Sequence, residues 1–145
     1  MKLEHNIFVI GSNSFTGAHF VNKSLSVTSG KVIGISRSKE YHEVFLPYKN
    51  AQNNYRFSFH QLDVNKDLDK ILDLCDAYEP AYIANFAAQG EVRNSWKYPD
   101  QWFETNCLSV VRLTNELCKR SYLKGYLSCS TPEVYGSTHQ NMKEN

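Results

Sequence analysis

Seven residues near the N-terminus have the types and order of an anion-binding turn. The apolar run Ile7-Phe8-Val9-Ile10 stops at Gly11, and the chain continues Gly11-Ser12-Asn13-Ser14-Phe15-Thr16-Gly17. A buried strand, a glycine turn and a helix start, in that order, aim unpaired backbone N–H groups and the positive end of a helix dipole at a phosphate. A glycine at the turn lets the chain reverse, and one at the far end lets helix and strand pack closely. The dinucleotide fingerprint has a third glycine where this chain has Ser14, which adds a Cβ there but also a hydroxyl donor. Read alone, the segment is either a pyrophosphate site formed by Gly11, Ser14, Phe15, Thr16 and Gly17 or an ordinary strand–helix turn. It is not a P-loop, because no Gly-Lys-Ser/Thr follows.

The next position of interest lies about 20 residues further on, where an NAD-specific domain carries Asp or Glu for the ribose 2′-OH. Here the chain reads Ile35-Ser36-Arg37-Ser38-Lys39. No carboxylate stands there to repel a 2′-phosphate; Arg37 could pair with one while Ser36 and Ser38 donate hydrogen bonds. This favours NADP as cofactor, with NAD remaining open; the plain alternative is a solvated basic loop. Further along, Leu62-Asp63-Val64 ends a third apolar run. Asp63 could accept from an adenine amino group, or could simply cap a helix or turn. Phe86, Ala87, Ala88 and Gln89 follow Asn85 at the end of a fourth run. Small side chains there leave room for a cofactor to cross the sheet edge, or merely pack tightly. The last group is Ser130-Thr131-Pro132-Glu133. Thr131 offers a hydroxyl to a substrate and Glu133 a possible acid/base, although Thr and Glu in a surface loop are usually inert.

These positions matter because of the elements expected to hold them. The patterning predicts strands over residues 6–10, 31–35, 56–62, 81–87 and 125–130, and helices from about Ser14, over 68–78 and over 99–122. Phe15, Ala18, Val21, Asn22 and Leu25 lie near helical spacing, with Gly30 expected at a C-cap or turn, and Pro80 closes the second helix. Phe103, Cys107, Val110, Val111, Leu113, Thr114, Leu117 and Cys118 predict a wide buried face on the third. Residues 36–54 read as loop, with one short helix near 40–45. Alternating strands and helices predict an α/β fold with a parallel sheet whose ligands sit at the carboxyl ends of its strands. Gly11, Ser36-Arg37, Asp63, Ala87-Ala88 and Thr131 all fall at such ends.

The bulk composition narrows the function. The chain has 145 residues, enough for one domain with a real core, and is 41% hydrophobic and 21% charged. A net charge of +1 and no long Lys/Arg run argue against nucleic-acid binding. The apolar run after the N-terminal Met1–Asn6 stretch has only four residues, and nothing later approaches a membrane span, so no membrane association and a cytoplasmic location are expected. Cys75, Cys107, Cys118 and Cys129 show no CxxC spacing and the five histidines are scattered, so no metal site is expected and the thiols should be free and buried or half-buried.

Taken together, GSNSFTG, the LDV at 62–64, NFAAQGEVRNSWKYPDQWFETN at 85–106 and STPEVYG at 130–136 resemble the extended short-chain dehydrogenase/reductase family, specifically its NAD(P)-dependent nucleotide-sugar epimerases and dehydratases. The resemblance covers essentially the whole chain. It implies a Rossmann-type parallel sheet with helices on both faces, residues 1–145 being the N-terminal, cofactor-binding portion, cut off after the fifth strand. It implies a nucleotide-sugar substrate, a homodimer formed partly through the long helix, and hydride transfer from sugar C4 assisted by a Tyr-x-x-x-Lys pair. Thr131 would be the hydroxyl that binds the sugar, and Glu133 the glutamate of Thr-x-Glu dehydratases, which takes the C5 proton before water leaves C6. The expected activity of the parent protein is therefore a nucleotide-sugar 4,6-dehydratase, with a 4-epimerase, decarboxylase or reductase as alternatives. Two departures stand out: Ser14 replaces the middle glycine, and no Tyr-x-x-x-Lys occurs before Asn145. The second leaves the chain itself expected to be inactive, and keeps a non-catalytic NADP-binding regulator as an alternative of another class.

Overall fold

Continuous burial makes the central strands. β1 (Ile7–Ile10) and β2 (Val32–Ser36) are buried at every position, as strands covered on both faces must be. β3 (Phe57–Gln61), β4 (Tyr82–Asn85) and β5 (Gly125–Ser128) complete a five-stranded sheet of order β3-β2-β1-β4-β5. All four pairings are parallel, with Ile10 opposite Ile35 on one side and Asn85 on the other. The chain moves outward from β1 through β2 to β3, then returns to the other side of β1, so the strand order reverses between β1 and β4. Ligands of open parallel sheets bind at such a reversal. The computed structural model describes residues 3–137 and 139–143; Met1, Lys2 and Asn145, the ends of the expected domain, lie outside the described residues.

Alternate residues of β1 point into two separate cores. Ile7 and Val9 pack with Val32 under α1 (Phe15–Val27), through Ala18, Val21 and Leu25. Phe8 and Ile10 pack with Ile33, Ile35 and Ile83 under α2 (Leu68–Tyr78), through Ile71, Leu72 and Cys75, and under Leu113 and Leu117. Helices therefore cover both faces. α2 has the predicted bounds, and its chain reverses at Glu79 (φ 44°) just before Pro80.

The structure departs from several expectations for identifiable reasons. Phe15 does not join the buried stripe of α1: it is 81% exposed and packs on His19 with ring centroids 4.7 Å apart. Of the two places expected for Gly30, the cap of α1 is instead Thr28 and Gly30 lies in the bend that follows, so close to His5 that a Cβ would strike the His5 carbonyl. The predicted long helix is preceded by a separate α3 (Val92–Lys97) and is itself composite. It runs as α4 (Pro99–Phe103), a π-helical segment (Glu104–Leu108) and α5 (Ser109–Leu117). Its buried stripe is narrow, with Thr105, Ser109, Leu113 and Leu117 four residues apart, while Phe103, Cys107, Val111 and Cys118 are exposed. Finally, the 36–54 loop contributes to the core. Leu46 and Tyr48 are fully buried, Tyr48 lies 4.4 Å from the Phe57 ring, and its hydroxyl donates to Glu40 at 2.8 Å. Three 3-10 turns, Glu43–Phe45, Pro47–Asn50 and Asn54–Arg56, carry the loop round instead of one helix.

The four cysteines are free, but only Cys75 is buried; Cys107, Cys118 and Cys129 are exposed. Burial pushes the Cys75 thiol up to about 12, which keeps it protonated and unreactive. Among the described residues no group of three or more His, Cys, Asp or Glu could hold a metal ion, and no helix is long and apolar enough to cross a membrane.

Candidate functional site

The carboxyl ends of β1, β2, β3 and β4 surround one cleft. It brings together Gly11, Ser14, Ser36, Arg37, Ser38, Asp63, Val64, Phe86, Ala87 and Ala88. Phe15, Thr16 and Gly17 form the adjoining first turn of α1. Gln89, Thr131 and Glu133 do not line the cleft.

Gly11 sets the shape of the floor. Its φ is +80°, and a Cβ there would sit 2.6 Å from the Ala87 nitrogen and 2.7 Å from the Phe86 carbonyl carbon. Only a residue without a side chain lets the β1 turn lie against the end of β4. At the far end, a Cβ on Gly17 would strike the Gly11 carbonyl oxygen. Ser14 is the N-cap between them. Its hydroxyl donates to the Gly11 carbonyl at 2.8 Å and accepts from the Gly17 N–H at 3.0 Å. The hydroxyl that replaces the expected glycine thus ties the turn together from within. Phe15 and Thr16 open the helix, so their N–H groups have no partner one turn earlier.

The basic loop after β2 is present at the rim. The Arg37 side chain has no hydrogen-bond acceptor or ion-pair partner among the described residues, while its carbonyl accepts from Gln61 Nε2 at 3.1 Å. The Ser36 hydroxyl accepts from the Asn13 N–H at 3.0 Å, and Ser38 accepts from the Asn13 carboxamide. Asp63 occupies the turn role: its Oδ1 accepts from the Asn65 N–H at 2.9 Å, and its own N–H donates to Asp67 at 3.0 Å. The Lys70 ammonium and the Asp63 N–H, the latter the larger influence, hold the Asp67 carboxyl below its ordinary value. Ala87 is positioned by Asn85, whose Oδ1 accepts the Ala87 N–H at 2.9 Å while its Nδ2 donates to the Tyr126 hydroxyl at 3.0 Å. Burial raises the Tyr126 phenol, which remains a neutral partner.

Thr131 and Glu133 are exposed in the 3-10 turn that follows β5, with Thr131 in extended conformation at its start. Gln89 is braced from the π-helical segment: its N–H donates to Asn106 Oδ1 at 2.8 Å, and its carbonyl accepts from Asn106 Nδ2 at 2.9 Å. One residue earlier, the Thr105 hydroxyl accepts from Asn65 Nδ2 at 3.0 Å. From the π-helical segment, the neighbouring Thr105 and Asn106 reach two different strand-end loops, at Asn65 and at Gln89. Asn13, Asn65, Asn85, Thr105 and Asn106 were not among the residues singled out from the sequence. Each is an amide or hydroxyl whose side chain has a partner at least 17 residues away, and nothing local marks it.

The residues from 7 to 145 match the NAD dependent epimerase/dehydratase family. Among curated relatives, the chain is 26% identical over 136 residues to Protein CapI of Staphylococcus aureus, covering 90% of this chain and 39% of that protein. It is 26% identical over 140 residues to the dTDP-glucose 4,6-dehydratase of Haemophilus influenzae, covering 90% and 40%. Among solved structures, a UDP-glucuronic acid 4-epimerase mutant from Bacillus cereus, in complex with NAD and a fluorinated UDP-sugar, matches with TM-score 0.74 and 27% identity over 97% of this chain and 44% of that one. A UDP-glucose-4-epimerase from Stenotrophomonas maltophila with bound NAD has the same fold, at TM-score 0.79 and 20% identity over 94% and 40%. The chain thus spans about 40% of the length of the relatives it matches. With the five-stranded parallel order and the glycine turn at its reversal, the chain belongs to the NAD dependent epimerase/dehydratase family.

Proposed function

We propose that residues 1–145 are the dinucleotide-binding part of a nucleotide-sugar 4,6-dehydratase that prefers NADP. One observation carries the cofactor reading: the Arg37 guanidinium has no partner among the described residues and borders the cleft that Gly11, Ala87 and Ala88 also line. The residues fit a dinucleotide. Gly11 permits close backbone approach, the N–H groups of Phe15 and Thr16 can receive a pyrophosphate, and Ala87 and Ala88 leave the sheet edge open. Arg37, with the hydroxyls of Ser36 and Ser38, would take a 2′-phosphate; Asp63 and Val64 would border the adenine. The relatives solved with NAD make NAD the competing cofactor. Titration with NADPH and NADH decides: NADPH binds more tightly, and Arg37→Asp reverses the order. Equal affinities in the unmodified protein would remove the preference.

When bound, the dinucleotide supplies the hydride acceptor for sugar C4. The chain's own contribution follows from the two exposed side chains after β5. Thr131 would donate a hydrogen bond to the sugar hydroxyl, and Glu133 would take the C5 proton and hand it to the C6 hydroxyl, which leaves as water. Relatives of both kinds, epimerase and dehydratase, match this chain, and Glu133 is what favours the dehydratase. A decarboxylase would share the same Thr-x-Glu pattern. In an active enzyme containing this chain, Glu133→Gln blocks water elimination but leaves oxidation at C4 measurable. Undiminished dehydrated product would sink that role. The exposed residues Phe103, Cys107 and Val111 on one side of the composite helix support a homodimer through that side.

A further inference from the structure

Asn13 ties the β1 turn to the turn after β2, and phosphate binding does not explain it. It is 6% exposed. Its Nδ2 donates to the Lys39 carbonyl at 2.7 Å, the Ser38 carbonyl at 3.1 Å and the Ser38 hydroxyl at 3.2 Å. Its backbone N–H donates to the Ser36 hydroxyl at 3.0 Å. The residues on both sides of Arg37 are therefore held by one side chain and its own backbone, and Gln61 holds the Arg37 carbonyl. Asn13 Oδ1, buried, has no partner among the described residues. Every hydrogen bond of the Asn13 side chain among the described residues is therefore made by its amide hydrogens.

We propose that Asn13 is a positioning residue for cofactor choice: by fixing the Ser36–Lys39 turn it sets where Arg37 presents its charge. This rests on the reading above that the cleft takes a dinucleotide with Arg37 at the ribose 2′ position. An arginine on a loose turn must give up backbone freedom when it binds, whereas one on a held turn has already done so. Only a ligand that uses Arg37 gains from this. A 2′-phosphate uses it and a free 2′-hydroxyl does not. The carboxamide is specific to the task. Aspartate has the same shape but no donors, and would set a carboxylate against the Ser38 and Lys39 carbonyls.

The test is a calorimetric titration of the 145-residue chain with NADPH and with NADH, for the wild type, Asn13→Ala, Asn13→Asp, Arg37→Ala and the double variant Asn13→Ala/Arg37→Ala. Asn13→Ala is expected to weaken NADPH about tenfold and NADH less than about threefold, with Asn13→Asp at least as damaging to NADPH. The double variant should bind NADPH no worse than Arg37→Ala alone, because the two residues act through one contact. Trypsin reads the turn without ligand: cleavage after Arg37 and Lys39 should speed up in Asn13→Ala relative to cleavage elsewhere in the chain. Should that variant fail to fold, Gln61→Ala releases the Arg37 carbonyl and should move the NADPH/NADH ratio in the same direction by less. Equal losses for both dinucleotides, additive losses in the double variant, or unchanged cleavage after Arg37 and Lys39 would overturn the assignment alone. A wild type that binds neither dinucleotide overturns the dinucleotide reading and the assignment with it.

Discussion

Gly11 is required for two separable reasons, its left-handed φ of +80° and the 2.6 Å approach that a Cβ would make to the Ala87 nitrogen. The first alone costs about 1–3 kcal/mol for another residue, and the second sets a side chain against backbone that cannot move aside. Gly11→Ala is expected to lose more than about 2 kcal/mol in urea denaturation. Gly90 is the control, since its Cβ would meet nothing within 4 Å, and Gly90→Ala should stay within about 0.5 kcal/mol. Similar losses at both positions would mean that the turn is not pinned against β4. Ser14 makes the opposite argument. Because its hydroxyl bonds Gly11 and Gly17, restoring the usual glycine by Ser14→Gly should cost only a few tenths of a kcal/mol of stability and leave dinucleotide affinity within about twofold. A tenfold loss of affinity would show that the hydroxyl reaches the phosphate after all. The turn at Gly11 could be read from the sequence because a glycine follows an apolar run there, whereas the capping role of Ser14 could not. Asn13 could not, since an asparagine beside an N-cap is ordinary until Ser38 and Lys39 are seen to lie within 3.2 Å of it.

At the level of elements, the short apolar strands were legible and the composite helix was not. Strands buried on both faces are runs of Ile, Val and Phe, and no exposed position interrupts the signal. The segment from Pro99 to Leu117 instead carries apolar residues on more than one side. Periodicity cannot say which side meets the sheet, and the π turn shifts the register partway along. α3 escaped because none of its residues is buried. The consequence is measurable. Leu117 is 1% exposed and Val111 58%. Leu117→Ala should cost about 2–5 kcal/mol, while Val111→Ala should stay within about 0.5 kcal/mol in the monomer. If Val111→Ala were the costlier change, the buried stripe would be wrongly assigned. Dimerisation through the exposed side would show separately, as weaker self-association of Phe103→Ser in sedimentation equilibrium with monomer stability retained.

Across the whole molecule, the roles proposed for Thr131 and Glu133 would depend on β5, because both residues follow its end. β5 is an edge strand among those described, paired only with β4. Its approach is fastened to α2 on the same side of the sheet. Arg120 donates to both carboxylate oxygens of Asp76, at 3.1 and 3.0 Å, and the Tyr122 hydroxyl donates to Asp76 at 2.7 Å. Arg120 also donates to the Glu116 carbonyl at 2.6 Å, where the helical run is ending. One carboxylate thus links two crossovers, the one entering β4 and the one entering β5. The Arg120 guanidinium, and after it the Tyr122 hydroxyl, hold the Asp76 carboxyl below its ordinary value. A carboxyl with a lowered folded-state pKa stabilises the fold above its unfolded value of about 4, and that contribution disappears as pH falls through the folded value. Asp76→Ala should therefore lower the Tm at pH 7 and at pH 5 alike, and the gap should narrow as the pH is taken below about 4. A gap that holds its size down to the acid transition would make Asp76 a packing residue rather than a charged clamp. If instead it closes, the approach to β5 is held to α2 by an interaction that acid releases.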